Sequence, residues 1–133
     1  MYRILIFFLF ATFWSCQNNQ GNTSESKILY EKVMVIHDEV MPKMRDIRIL
    51  SKKLKKVENY TTHTEVLESI KSLDNAHESM MDWMAQFKIP SNIDHDKEIK
   101  YLKTQMISVQ KMSDEVLSAL KNAEIMATKY STK

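Results

Sequence analysis

From residue 22 to Lys133 the chain contains no glycine, and its two prolines are Pro42 and Pro90. Leu, Met, Lys and Glu recur through that stretch, a composition that favours helix over strand. One small all-helical domain is the natural reading, with its folded part beginning near Lys27.

The N-terminus constrains where such a domain works. Met1-Tyr2-Arg3 is a short basic start and Ile4 to Phe13 an apolar core, which reads as a secretory signal over residues 1–15, too short to span a bilayer. Phe13-Trp14-Ser15-Cys16 then places a small residue directly before the single cysteine, a lipobox-like ending despite the bulky Phe13 and Trp14. Cys16 is therefore expected to become a lipidated N-terminus. Each buried acyl methylene contributes about 0.8 kcal/mol, so several chains anchor durably. With its only thiol lipidated, the mature chain forms no disulfide. Residues 16–26 are polar and contain Gly21, which reads as a flexible tether. Gln17-Asn18-Asn19 bears no acidic run, so a periplasm-facing position outside the cytoplasm is expected. Lys plus Arg number 19 and Asp plus Glu 17, so loss of Arg3 leaves a mature charge of about +1. That balance gives no footing for nucleic-acid binding.

Three helices are delimited by their seams, over about 27–57, 62–88 and 94–130. The first carries Tyr30, Val33, His37, Val40, Met44, Ile47 and Leu54 at alternating steps of three and four, with Ser51 a polar place among them. It ends in Lys52-Lys53-Leu54-Lys55-Lys56, cations that complement a helix C-terminus and read as a solvated end rather than a binding patch. Thr62-His63-Thr64-Glu65 has the form of a capping box for the second helix. Its seam is Val66, Ile70, Leu73, His77, Met80, Met84 and Phe87, and Pro90-Ser91-Asn92 stops it. The third seam runs Ile99, Leu102, Met106, Val109, Val116, Leu120, Ala123, Ala127 and Tyr130, with Ser113 its polar place. Short links pack successive helices antiparallel, so the expected fold is an up-down-up three-helix bundle. Pro42 falls inside the first helix, where it bends the rod by deleting one backbone bond. Trp83, four residues before Phe87, reads as seam-edge packing.

Within this frame a pattern occurs twice. His37-Asp38-Glu39-Val40-Met41-Pro42-Lys43-Met44 and His77-Glu78-Ser79-Met80-Met81-Asp82-Trp83-Met84 both read His, acid, two residues, Met, two residues, Met. Offsets of four and seven stack an imidazole and two thioethers on one helix face. If facing residue numbers add to about 120 across the first two helices and about 183 across the last two, Met44 meets His77 and His77 meets Met106. His37 is then level with Met84 and Ile99, while Met41 and Met81 flank the seam. Both imidazoles would leave water among apolar neighbours, and an unpaired buried polar group costs about 1 to 3 kcal/mol. A metal bridging imidazole and thioether satisfies both. Cu(I) suits one nitrogen and two sulfurs best, because zinc and iron sites recruit thiolate or carboxylate instead. The expected ligands are Met44, His77 and Met106 first, then His37, Met41, Met81 and Met84.

The same residues allow a plainer account. Nine methionines in the mature chain can simply fill a core, and a seam histidine can tilt outward or bond to Asp74, Asp38 or Glu78. An interaction lipoprotein offering a helix face to an envelope partner is the alternative function. Leftover apolar residues such as Met34, Val35 and Ile49 could support a dimer. His63 and His95 read as solvated cap or turn residues. Paired Glu-x-x-His motifs, Cys-x-x-Cys-His, a glycine-rich phosphate loop and a nucleophile elbow do not occur in the sequence, so di-iron, covalent haem, nucleotide and hydrolase chemistries have no support. Three tightly spaced seams also leave little room for haem b held by His and Met. On its two His/Met segments the chain resembles small helical lipoproteins of Bacteroidota, some labelled "viral A-type inclusion protein". That resemblance implies a lipid-anchored helical envelope protein and brings no established activity.

Overall fold

A computed structural model describes residues 20–131, with side-chain surroundings from residue 25 onward. The expected signal peptide and Cys16 lie outside the described residues. Helix α1 spans Gln20–Val40, α2 Lys43–Leu54, α3 Thr64–Gln86 and α4 His95–Ser131, with a 3₁₀ turn at Tyr60–Thr62. The fold is an all-α three-helix bundle, α1 and α2 being two halves of one arm broken at Met41-Pro42.

Pro42 causes that break. It has no N–H to donate and its ring crowds the preceding turn, so the chain tightens: Met44 N–H reaches the Met41 carbonyl at 3.1 Å and Arg45 N–H the Pro42 carbonyl at 3.3 Å. The two connections need left-handed backbone and no glycine is at hand, so Asn59 (φ 52°) and Asn92 (φ 62°) supply it. Asp94 starts α4, its carboxylate accepting the Asp96 N–H at 2.9 Å and its carbonyl the Glu98 N–H at 3.0 Å.

Two boundaries differ from expectation. α1 begins at Gln20 and so includes most of the stretch read as tether. The reason is docking: Ser26 donates a hydrogen bond to Glu98, and Glu25 pairs with Lys103 at 3.5 Å, fixing this end of α1 to α4. The capping box does not form. Thr62 instead donates its hydroxyl to the Asn59 carbonyl at 2.8 Å, while Glu65 takes two stronger donors, Lys129 and the Tyr130 hydroxyl, each at 2.6 Å.

The core is nearly continuous from Val33 to Ala127, with a satellite of Leu29, Ile99 and Leu102 beside the α1 start. Val33, Leu54, Val66, Leu73, Met80, Leu102, Val109 and Val116 are wholly buried, each worth about 1.5–3 kcal/mol over leaving it exposed. On α3 the buried stripe is wider than the seam read from sequence. Ser69, Ala76 and Trp83 are buried beside Leu73 and Met80, whereas His77, Met84 and Phe87 are half-buried. The cause is that α3 packs on both α2 and α4; small residues at 69 and 76 let α4 approach and turn position 77 towards the margin. Met112 and Ala119 extend the α4 stripe in the same way.

Candidate functional site

The two His/Met segments end up in unlike places. His37, on α1 a turn before the break, has a side chain only 13 % exposed. Its Nδ1 lies 2.8 Å from the Asp38 carboxylate, and its ring centroid lies 5.8 Å from that of Trp83 on α3. A carboxylate on Nδ1 favours the tautomer that carries the proton there, leaving Nε2 as the lone-pair nitrogen. Trp83 is itself fixed, because its indole N–H donates to the Gln105 side chain of α4 at 2.8 Å and its ring stacks on Phe87 at 4.8 Å. Phe87 continues the layer to Tyr30 at 6.1 Å and Tyr101 at 6.3 Å. Aromatic residues of three helices thus wall one end of the bundle.

Three thioethers lie at or near this level. Met41 is one turn beyond His37, its N–H donating to the His37 carbonyl at 2.9 Å. Met84 follows Trp83, and Met106 follows the Gln105 that Trp83 bonds. All three are half-buried and pack against the main core. Met81 is 43 % exposed and faces away from that packing.

His77 sits elsewhere. It is half-buried on the α2 side of α3, in a groove it shares with Arg48, Ser51, Lys52, Lys55 and Asp74. Asp74 engages Lys55 at 3.8 Å and accepts the Ser51 hydroxyl at 3.4 Å. Met44 is buried in the core on α2, with Ile47 and Ser51 one and two turns further on.

The register corrects the expected ligand layer. Past the break, Ser51–Asp74 slides α2 by about one turn against α3, which puts His77 level with Ile47 and Arg48 rather than with Met44. Between α1 and α3 the contacts Tyr30–Phe87 and His37–Trp83 agree with the expected pairing. Between α3 and α4 they do not. Trp83–Gln105, Phe87–Tyr101 and Glu65–Lys129 slide α4 by at least one turn relative to expectation. His77 is consequently level with Met112 and Ser113, and Met106 lies about 9 Å along the axis, at the level of Trp83. The layer of Met44, His77 and Met106 is not assembled. The misjudged quantity is the loop from Phe87 to Asp94, whose extended residues displace the centre of the turn.

The premise of an unsatisfied imidazole also needs correcting. No fully buried side-chain nitrogen or oxygen lacks a hydrogen-bond partner among the described residues: Asp38 serves His37, and His77 is half-buried at an open groove where its ring is not shut away from water. No group of three or more His, Cys, Asp or Glu that could hold a metal occurs among the described residues. The His63 ring lies tilted against that of Tyr130 at 4.9 Å and is half-buried, as is His95 at the α4 start.

The groove residues Arg48, Lys52 and Lys55 were not singled out in the sequence as a site, although steps of four and three put them on one face of α2. Ser51, the polar place in an otherwise apolar seam, was the available signal. Among the described residues no helix is long and apolar enough to cross a membrane. No family model, no curated protein and no solved structure matches the chain.

Proposed function

We propose that the chain is a non-catalytic envelope lipoprotein, anchored through lipidated Cys16 to a membrane face outside the cytoplasm, whose bundle binds or buffers a soft metal ion, Cu(I) first, at the His37 end. The donors in this reading are His37 Nε2 with the sulfurs of Met41 and Met84, and Met106 is near enough in level to serve as a further thioether. The observation that carries it is the His37–Asp38 contact at 2.8 Å on a side chain 13 % exposed. In this reading the half-buried ring presents Nε2 as a lone-pair nitrogen at the level of Met41 and Met84, and imidazole with thioether is the combination a soft monovalent ion prefers. Thioethers require no deprotonation and form no disulfides, which suits an oxidising compartment. His77 is a poorer donor here, because a cation entering its groove meets Arg48, Lys52 and Lys55. The resemblance to lipid-anchored helical proteins of Bacteroidota supports the location and is silent on the metal.

One observation favours a second reading. Met44 and Met106 are not brought to His77, and both pack against the core; if the remaining methionines do no more than that, the protein is an interaction module for an envelope partner. Competition for Cu(I) against a coloured chelator separates the two, using the full Cys16→Ser chain in nonionic detergent so that no thiol contributes. One equivalent of competitive binding that is lost in His37→Ala supports the metal site. Equal, weak uptake by parent and variant supports the interaction module.

A further inference from the structure

Positive charge in this chain is concentrated in one place. Between Lys43 and Lys56 lie seven cations against one acid, Asp46, whereas the chain as a whole carries a net +2. Many of these cations are three or four residues apart on the same helix, an arrangement that is unfavourable without a compensating anion. The basic run reads from sequence as a solvated helix end, but the structure places part of it against α3. Arg48, Lys52 and Lys55 line an open groove whose opposite wall is Asp74 and His77.

The pairing within the groove is incomplete in a directed way. Asp74 occupies Lys55 and the Ser51 hydroxyl, which holds one ammonium at the groove edge. Arg48 and Lys52 have no ion pair or side-chain hydrogen bond with any described residue, and neither has the His77 ring. Three kinds of donor therefore border one open space: a guanidinium with a planar fork, an ammonium and an imidazole N–H, available in either neutral tautomer. Guanidinium and ammonium together are a common means of binding a phosphate oxyanion, the first by bidentate bonds and the second as a point charge. His77 belongs to the second copy of the repeated pattern, yet in this setting its N–H serves an anion better than its lone pair serves a metal.

We propose that the α2–α3 groove rimmed by Arg48, Lys52, Lys55 and His77 is a binding site for a phosphate group, borne either by a lipid headgroup or by a small soluble phosphate. It is separate from the His37 end and does not depend on the metal reading. Ligand binding there relieves the repulsion along α2 and so stabilises the folded bundle.

The test uses the full chain in nonionic detergent, with thermal unfolding followed by circular dichroism at constant ionic strength. Inorganic phosphate is expected to raise the midpoint by a few degrees in a saturable manner. Arg48→Gln/Lys52→Gln is expected to weaken the apparent affinity by about tenfold or more. Lys53→Gln/Lys56→Gln, which removes the same charge outside the groove, is expected to leave it within about twofold. A second arm replaces phosphate with micelles doped with phosphatidylglycerol or, as a control, phosphatidylcholine. The same variant pattern with phosphatidylglycerol identifies a lipid headgroup as the source, and a response to inorganic phosphate alone identifies a soluble one. No saturable response in either arm, or an equal loss in the two charge-matched double variants, overturns the site.

Discussion

His37 and His77 begin the same eight-residue pattern, yet one imidazole lies between a carboxylate and an indole while the other borders a cationic groove. The difference comes from the neighbouring helices. His37 lies where Trp83 reaches across from α3 and is fixed by Gln105 of α4. His77 lies one position from the buried Ala76, on the flank that α3 turns towards the basic second half of the first arm. Identical local spacing is thus compatible with different surroundings, and the two proposals follow that difference: a soft cation at the carboxylate-supported copy and an anion at the cation-rimmed one.

Several substitutions can break or sharpen this contrast. Trp83→Ala removes the indole that is 8 % exposed and holds the His37 end together, and is expected to lower unfolding free energy by about 3–5 kcal/mol. His77→Ala, at a groove margin, is expected to cost less than about 1 kcal/mol. Urea unfolding midpoints compare the two, and similar losses would erase the structural distinction. For Cu(I) affinity, His37→Ala is expected to weaken binding about 100-fold and His77→Ala by no more than about twofold, read by chelator competition. Equal losses would place the metal across both copies. Asp38→Asn keeps the ring but removes the anionic partner of Nδ1, and is expected to weaken Cu(I) binding by about tenfold; an unchanged affinity would make that contact incidental to the site.

The smallest effect belongs to a third region, where α3 begins beside the end of α4. The Lys129 ammonium, and after it the Tyr130 hydroxyl, hold Glu65 below the usual carboxylate range. Hydrogen bonding to Glu65 in turn holds Lys129 and Tyr130 above their ordinary values. The Glu65 contribution to stability is complete above its unfolded-state value and fades as pH falls through the lower folded-state value. That of Lys129 and Tyr130 is complete below their unfolded-state values and is lost as pH rises through the raised ones. Glu65→Gln should therefore flatten both limbs of the stability profile slightly. Because the network is exposed, a large change would show that solvent screens it less than its position implies.

Much of the fold was legible because it depends on composition and period. The lack of glycine after Gly21, the three-and-four spacing of Val33, Val40, Met44, Ile47 and Leu54, and the stop at Pro90 are local signals, and the second and third helices lie within a few residues of their expected spans, while the first starts earlier than expected, at Gln20. The break at Pro42 was legible for the same reason. What sequence could not give was rotation and slide. The choice between His77 and Ala76 as the inward position depends on where α4 approaches α3, and the level of Met106 depends on the path of the chain through Asn92. Neither is encoded in the period of a single helix. The Asp38 partner of His37 was foreseen among three acids, while the Arg48–Lys52–Lys55 rim was obscured by a plausible role as a solvated helix end.

Imidazole nitrogen NMR during Cu(I) titration of the Cys16→Ser chain tests the division between the two histidines most directly. Coordination through Nε2 should shift the His37 nitrogens in step with one bound equivalent and leave His77 unmoved. Shifts at His77 instead, or at neither ring while the ion is taken up elsewhere, would contradict the site.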